Sequence, residues 1–102
     1  MTKPLRVASA ALLLTIAFSA SAAVDLVRGQ KLYNLHCASC HGITGIPVTP
    51  GTPNLSMREG MGQPDIVIMQ SLKMGKNNKP PFFGRLNDQE LQDIIQYTRT
   101  MR

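Results

Sequence analysis

The stretch Cys37-Ala38-Ser39-Cys40-His41 constrains this chain more than any other five residues. Two thiols three positions apart share one turn of backbone, and an imidazole follows the second directly. A C-x-x-C-H run of this kind reads as an attachment site for a c-type haem. Each thiol adds across one vinyl group of the porphyrin, and the imidazole is held against the iron as proximal ligand. Cys37, Cys40 and His41 are therefore the candidate site residues, with one covalent haem c as the cofactor. Three other chemistries use the same residue types. A zinc site wants four ligands, and only His36, Cys37, Cys40 and His41 are available, crowded together. A dithiol redox motif wants a strand-helix-strand setting, and no alternating strand pattern lies nearby. A plain disulfide between the two Cys residues is the third.

The first residues are not expected to join the fold. Lys3 and Arg6 precede an apolar run from Val7 to Phe18, and the small residues Ser19-Ala20-Ser21-Ala22-Ala23 follow. That is the layout of a cleavable secretory signal peptide over residues 1–23, with cleavage after Ala22 or Ala23. The alternative, an uncleaved anchor, needs about 20 apolar residues to span a bilayer, and the run is short for that. No stable membrane insertion is expected after cleavage. Export and the thiol pair agree on compartment, because haem is joined to Cys outside the cytoplasm in bacteria. A bacterial periplasm is the expected location.

Cleavage leaves residues 24–102, a single domain of 79 residues. Its nine basic and six acidic residues give a net charge near +3, too mild to suggest nucleic-acid binding. Chains this small have thin cores and usually need a staple. Tyr33, Phe82, Phe83 and Tyr97 are the aromatic residues of that domain, and Trp is absent. A buried haem supplies the missing apolar mass, which supports the cofactor independently of the motif.

Along the domain, Asp25 can cap a first helix running towards His36, with Leu32 and Leu35 at i, i+3 spacing. Gly29 inside that helix costs about 1 kcal/mol relative to Ala, which suggests close approach of another helix. From Gly42 to Gln63 the composition turns to Gly, Pro, Thr and Asn, a loop long enough to wrap a cofactor. Pro64-Asp65 opens a second helix with Ile66, Ile68, Met69 and Leu72 on its apolar side and Gly75 as its stop. Lys76 to Arg85 is loop again. Asn87-Asp88-Gln89-Glu90 then reads as a capping box, with Leu86 stapled onto Leu91 and one face formed by Leu91, Ile94, Ile95 and Thr98. The fold class is all-α, with about three to four helices wrapped around one haem.

With these residues in view, nearly the whole of 24–102 resembles a class I (mitochondrial-type) monohaem cytochrome c. The likeness rests on Gly29 and Tyr33 in the first helix, CASCHG, Pro53-Asn54-Leu55, Gly75-Lys76, the Pro-Pro-Phe loop, and Gly84-Arg85-Leu86 before a capped helix containing Tyr97. It implies that the first and last helices cross with Gly29 against Tyr97. It also implies that the Pro53 carbonyl accepts the Nδ1 proton of His41, a bond that fixes the tautomer and raises ligand basicity. The family's loop reads Met-Pro-Pro-Phe, with the Met as sixth iron ligand, whereas here it is Lys79-Pro80-Pro81-Phe82. Met74, five residues earlier, is the expected sixth ligand. A vacant or water-filled position and a neutral Lys79 amine are the alternatives.

The expected work is one-electron transfer between larger redox proteins. No catalytic triad, paired carboxylates or phosphate loop accompanies the haem, and the spare His36 immediately precedes Cys37, so an enzyme is not expected. Lys73, Lys76, Lys79 and Arg85 lie in segments that should ring the haem edge and face an acidic partner. The alternative function is a haem-based binder or sensor of NO or CO, prompted by the missing Met.

Overall fold

The computed structural model describes residues 2–4, 23–76 and 79–102. The signal peptide expected over 1–23 lies almost wholly outside them. Four helices follow in chain order: α1 (Leu26–His36), α2 (Ala38–His41), α3 (Asp65–Met74) and α4 (Asp88–Thr98), with a 3-10 turn at Leu55–Met57. No strand occurs among the described residues, so the fold is all-α, as expected.

Helices α1 and α4 start at side-chain caps. The Asp25 carboxylate accepts from the Arg28 N–H and caps α1. Asn87 and Glu90 form the reciprocal capping box of α4. Such caps satisfy amide donors that the first turn leaves without partners. Pro64 precedes α3, and Gly75 ends it with φ of 73°, a left-handed conformation that glycine adopts without strain.

The core forms where α4 crosses α1. Leu91, Ile94 and Ile95 are buried on one face of α4, and Tyr33 on α1 is fully buried against them. Tyr33 and Tyr97 meet edge to face with ring centroids 5.5 Å apart. Gly29 sits at the crossing. A Cβ there would come within 3.1 Å of Tyr97 Cβ and closer still to the Asp93 backbone carbonyl. The expected Gly29–Tyr97 contact is present, with the Asp93 backbone as the tighter neighbour.

Two expected apolar positions face outwards. Leu35 is 71% exposed and Ile66 is 61% exposed. The buried stripe of α1 is instead Gly29 and Tyr33, four residues apart, with Leu32 partly buried beside it. In α3 the inward row is Ile68, Met69 and Leu72.

The acidic side chain of Asp93 is fully buried at the same crossing. It accepts from the Asp25 N–H at 3.0 Å, Arg28 Nε at 2.6 Å and Gln89 Nε2 at 3.0 Å. Burial alone would raise its pKa, but these three donors outweigh it and hold the carboxyl below the usual range. A second carboxylate, Asp65, ties the start of α3 to α4. It accepts from Gln92, Gln96 and Arg99, and Arg99 also reaches the Met61 and Gln63 carbonyls.

Two outcomes follow. Gly29→Ala should destabilise the protein by about 1–3 kcal/mol despite Ala's better helix propensity, because the added carbon overpacks the crossing. Gln30→Ala, on the exposed side, should change stability by less than about 0.5 kcal/mol; urea titration of both variants compares them. The second outcome concerns acid. The stability that Asp93 contributes is present above its unfolded pKa of about 3.9 and is lost as pH falls through the lower folded value. Thermal unfolding of Asp93→Asn across pH should therefore show lower stability at neutral pH and a flatter acid limb than the parent.

Candidate haem site

The attachment motif lies at the joint between α1 and α2. The Cys37 N–H bonds the Tyr33 carbonyl at 2.8 Å, and the N–H groups of Cys40 and His41 turn back onto the Cys37 carbonyl. The joint is held from below by Tyr33, whose hydroxyl donates to the Gly42 carbonyl at 2.7 Å in a buried bond. Burial pushes the Tyr33 phenol up to about 12, so it stays protonated and donating. The long loop then closes over the motif, with the Val48 N–H donating to the Cys40 carbonyl at 3.0 Å.

Two adjoining cavities of about 250 and 330 Å³ open beside this joint. They share Cys37, His41, Pro53, Leu72, Lys76 and Lys79, so they form one continuous cleft. One wall comes from the motif and the loop after it. The other comes from α3 and the segment that follows, through Ile68, Ser71, Leu72 and Lys79. Ile94, Ile95 and Thr98 of α4 line the inner end of the smaller cavity. Predominantly apolar walls with a few convergent polar groups are what a cofactor site requires.

The donor atoms suit a haem. Cys37 and Cys40 are free thiols, one partly buried and one exposed. Burial is the main cause that pushes the Cys37 thiol up to about 11, against a lowering effect from Lys79. His41 Nδ1 lies 3.1 Å from the Pro53 carbonyl, the bond the resemblance implies. A carbonyl can only accept, so Nδ1 carries the proton and Nε2 keeps its lone pair for a metal. Burial lowers the His41 pKa, and Lys79 lowers it further against the opposing effect of the Pro53 bond. The imidazole is thus neutral at neutral pH, the form that binds iron. Among the described residues no group of three or more His, Cys, Asp or Glu is placed to hold a metal ion, so the zinc alternative finds no ligand set.

The sixth-ligand candidates fall in different places. Met74 does not reach the cleft: α3 stays helical to its end, and the side chain is 80% exposed. Met74 is on the lining of neither cavity. Lys79 lines both cavities, and its Nζ donates to Ser71 Oγ at 2.7 Å. Desolvation is the main cause that lowers its pKa, with Lys76 adding to it. Met61 lines the smaller cavity, its sulfur 4.0 Å from the Thr98 hydroxyl. Ser71 carried no signal in the sequence. The Met61 carbonyl is held by Arg99, which Asp65 binds.

The basic ring is thinner than expected. Lys73 is paired with Asp88 at 2.6 Å, and Lys79 turns inwards. The Arg85 guanidinium lies 5.4 Å from the centre of the Phe82 ring, and Lys76 is exposed. No helix among the described residues is long and apolar enough to cross a membrane.

Comparison with known proteins agrees with this geometry. The family model for the cbb3-type cytochrome c oxidase subunit III matches residues 24–97. The chain is 37% identical over 81 residues to cytochrome c6 of Thermosynechococcus vestitus, covering 76% of this chain and 71% of that one. It is 36% identical over 90 residues to cytochrome c6 of a Nostoc species, covering 83% and 79%. It is also 32% identical over 94 residues to the cytochrome bc1 complex cytochrome c subunit of Mycobacterium leprae, covering 85% of this chain and 30% of that protein. A CxxCH joint, a neutral His41 bound to Pro53, an apolar cleft and these relatives converge: the chain belongs to the small monohaem c-type cytochromes.

Proposed function

We propose that the protein carries single electrons between larger redox proteins in the bacterial periplasm, through one haem held by Cys37, Cys40 and His41. The observation that carries this is the cleft, which gathers two thiols and a neutral imidazole at one apolar site. When bound, the haem supplies one-electron exchange at its iron. The chain's own part is to bind, orient and shield. The two thiols fix the macrocycle, Pro53 sets the His41 ring, and Ile68, Leu72, Ile94 and Ile95 keep water from the inner end. The likeness to cytochromes c6 favours a carrier over an enzyme. The sensor of NO or CO gains no support from the relatives, whose names are those of electron-transfer cytochromes.

We take residues 1–23 as a secretory signal removed on export and 24–102 as the working domain. The family match starting at residue 24 supports that boundary. For docking, Lys76 and Arg85 remain to attract an acidic partner, fewer charges than the sequence suggested.

Covalent attachment is tested on the protein made in a host with haem-attachment machinery. On a denaturing gel stained for peroxidase activity, the parent should keep its haem. Cys37→Ala and Cys40→Ala should each keep it through the remaining thioether, and the double variant should lose it. Haem that leaves the parent chain sinks the assignment. Docking has a separate test, the stopped-flow rate of reduction by an acidic donor as salt is raised. It should fall, with the shallow slope that two steering charges give. A rate flat in ionic strength removes the role of Lys76 and Arg85.

A further inference from the structure

We infer that Lys79, through Nζ, is the sixth ligand of the iron that His41 holds, an assignment that rests on the haem proposal above. Lys79 and His41 belong to different walls of the cleft. His41 is set by the Pro53 carbonyl on the motif side, and Lys79 by Ser71 Oγ on the α3 side. Of the six residues shared by both cavities, four carry an atom able to bind iron: Cys37, His41, Lys76 and Lys79. The thiol and imidazole are spoken for, and Lys76 is exposed. Lys79 remains.

The thioethers are worse placed. Met74 is 80% exposed. Met61 lines only the smaller cavity, and its sulfur is 4.0 Å from the Thr98 hydroxyl.

Several backbone bonds hold the segment that carries Lys79. Lys79 N–H donates to the Lys76 carbonyl at 3.0 Å, and Lys76 N–H returns the bond at 3.2 Å. Gly75 takes a left-handed φ of 73°, and a Cβ there would lie 2.7 Å from the Lys79 carbonyl oxygen. The N–H groups of Phe82 and Phe83 donate to the Leu72 and Lys73 carbonyls at the end of α3. A lysine on a loop usually extends its charge into water. This one is anchored at its root and drawn inwards at its tip.

Among the described residues its head has no counter-ion: the ion pairs there are Arg28–Asp93, Lys73–Asp88 and Arg99–Asp65. A half-buried ammonium whose one partner among those residues is a hydroxyl is poorly compensated. Coordination resolves that. Nζ gives one proton to solvent, its lone pair forms the iron–nitrogen bond, and the oxidation state of the iron does not change.

The test uses the holoprotein and reads optical, magnetic circular dichroism and EPR spectra. The denaturing gel comes first. Loss of haem there overturns the haem proposal, whereas retained haem with a different sixth ligand overturns this inference alone. The parent should be ferric low-spin without a thioether-to-iron charge-transfer band, and its ferrous form should resist CO. Lys79→Ala should become high-spin and bind CO. Lys79→Arg keeps the charge but offers no free lone pair, and it should behave like Lys79→Ala. Lys79→Met should return the low-spin state, now with the thioether band and a higher potential than the parent. Met74→Leu should leave the parent spectrum unchanged, and Met61→Leu, which alters the lining, should stay low-spin. A thioether band in the parent that either Met variant abolishes overturns the assignment. So does a high-spin parent, or a Lys79→Arg spectrum identical to the parent's.

Discussion

The crossing of α1 and α4 at Gly29 is the contact on which the rest depends. The missing side chain lets the Asp93 backbone lie directly against α1, and interiors this dense leave no slack for a methyl group. The close approach also brings the Asp93 carboxylate over the first turn of α1, where the Asp25 and Arg28 donors meet it. One turn further along, Tyr33 packs on Tyr97 and passes the register to Gly42 through its hydroxyl. The position of the CxxCH joint is thus set by a helix some fifty residues away in sequence.

The opposite wall of the cleft is tied to the same helix by different chemistry. Asp65 at the start of α3 gathers Gln92, Gln96 and Arg99 from α4 and the residue after it. Arg99 is held in turn by two loop carbonyls. Both walls therefore hang from α4, one by steric fit and a buried carboxylate, the other by a half-exposed polar cluster. Partly exposed ion pairs are worth little singly, so the second wall is the softer of the two. A haem joined to the first wall by two thioethers gives that softer wall a rigid surface to pack on.

Much of this was legible in the sequence because local chemistry decides it. Asp25, the Asn87–Glu90 box and the Pro64-Asp65 start mark helix ends through hydrogen bonds made within three or four residues. Gly29, Pro53 and Tyr97 were legible through family likeness, and each has the contact that the likeness implies; Tyr33 was named by the same likeness without its contacts. What escaped was long-range. Nothing local distinguishes Asp93, a fully buried acid, from the other acids of the same helix. Two of its three donors lie 65 and 68 residues away. Leu35 and Ile66 fit helical periodicity but fall outside the stripes that the crossings select. Met74 was favoured because a thioether is adaptable; its side chain is exposed and lines neither cavity.

The fate of the basic residues shows how folding redistributes a small net charge. The four cations expected around the cleft are near one another in sequence, which suggested a ring. Lys73 is neutralised by Asp88, because the end of α3 meets the start of α4. Lys79 is drawn to Ser71, because the segment after Gly75 runs back along α3 with its backbone N–H groups on the Leu72 and Lys73 carbonyls. Those bonds satisfy helix-end carbonyls that would otherwise lack partners. The turn that ends α3 thus also turns a cation from the surface towards the cleft. A lysine at the rim is a charge that water screens, whereas one drawn into an apolar cleft is desolvated and more readily gives up its proton. In this chain the loop's helix-capping geometry decides which of its lysines face outwards and which face the cleft.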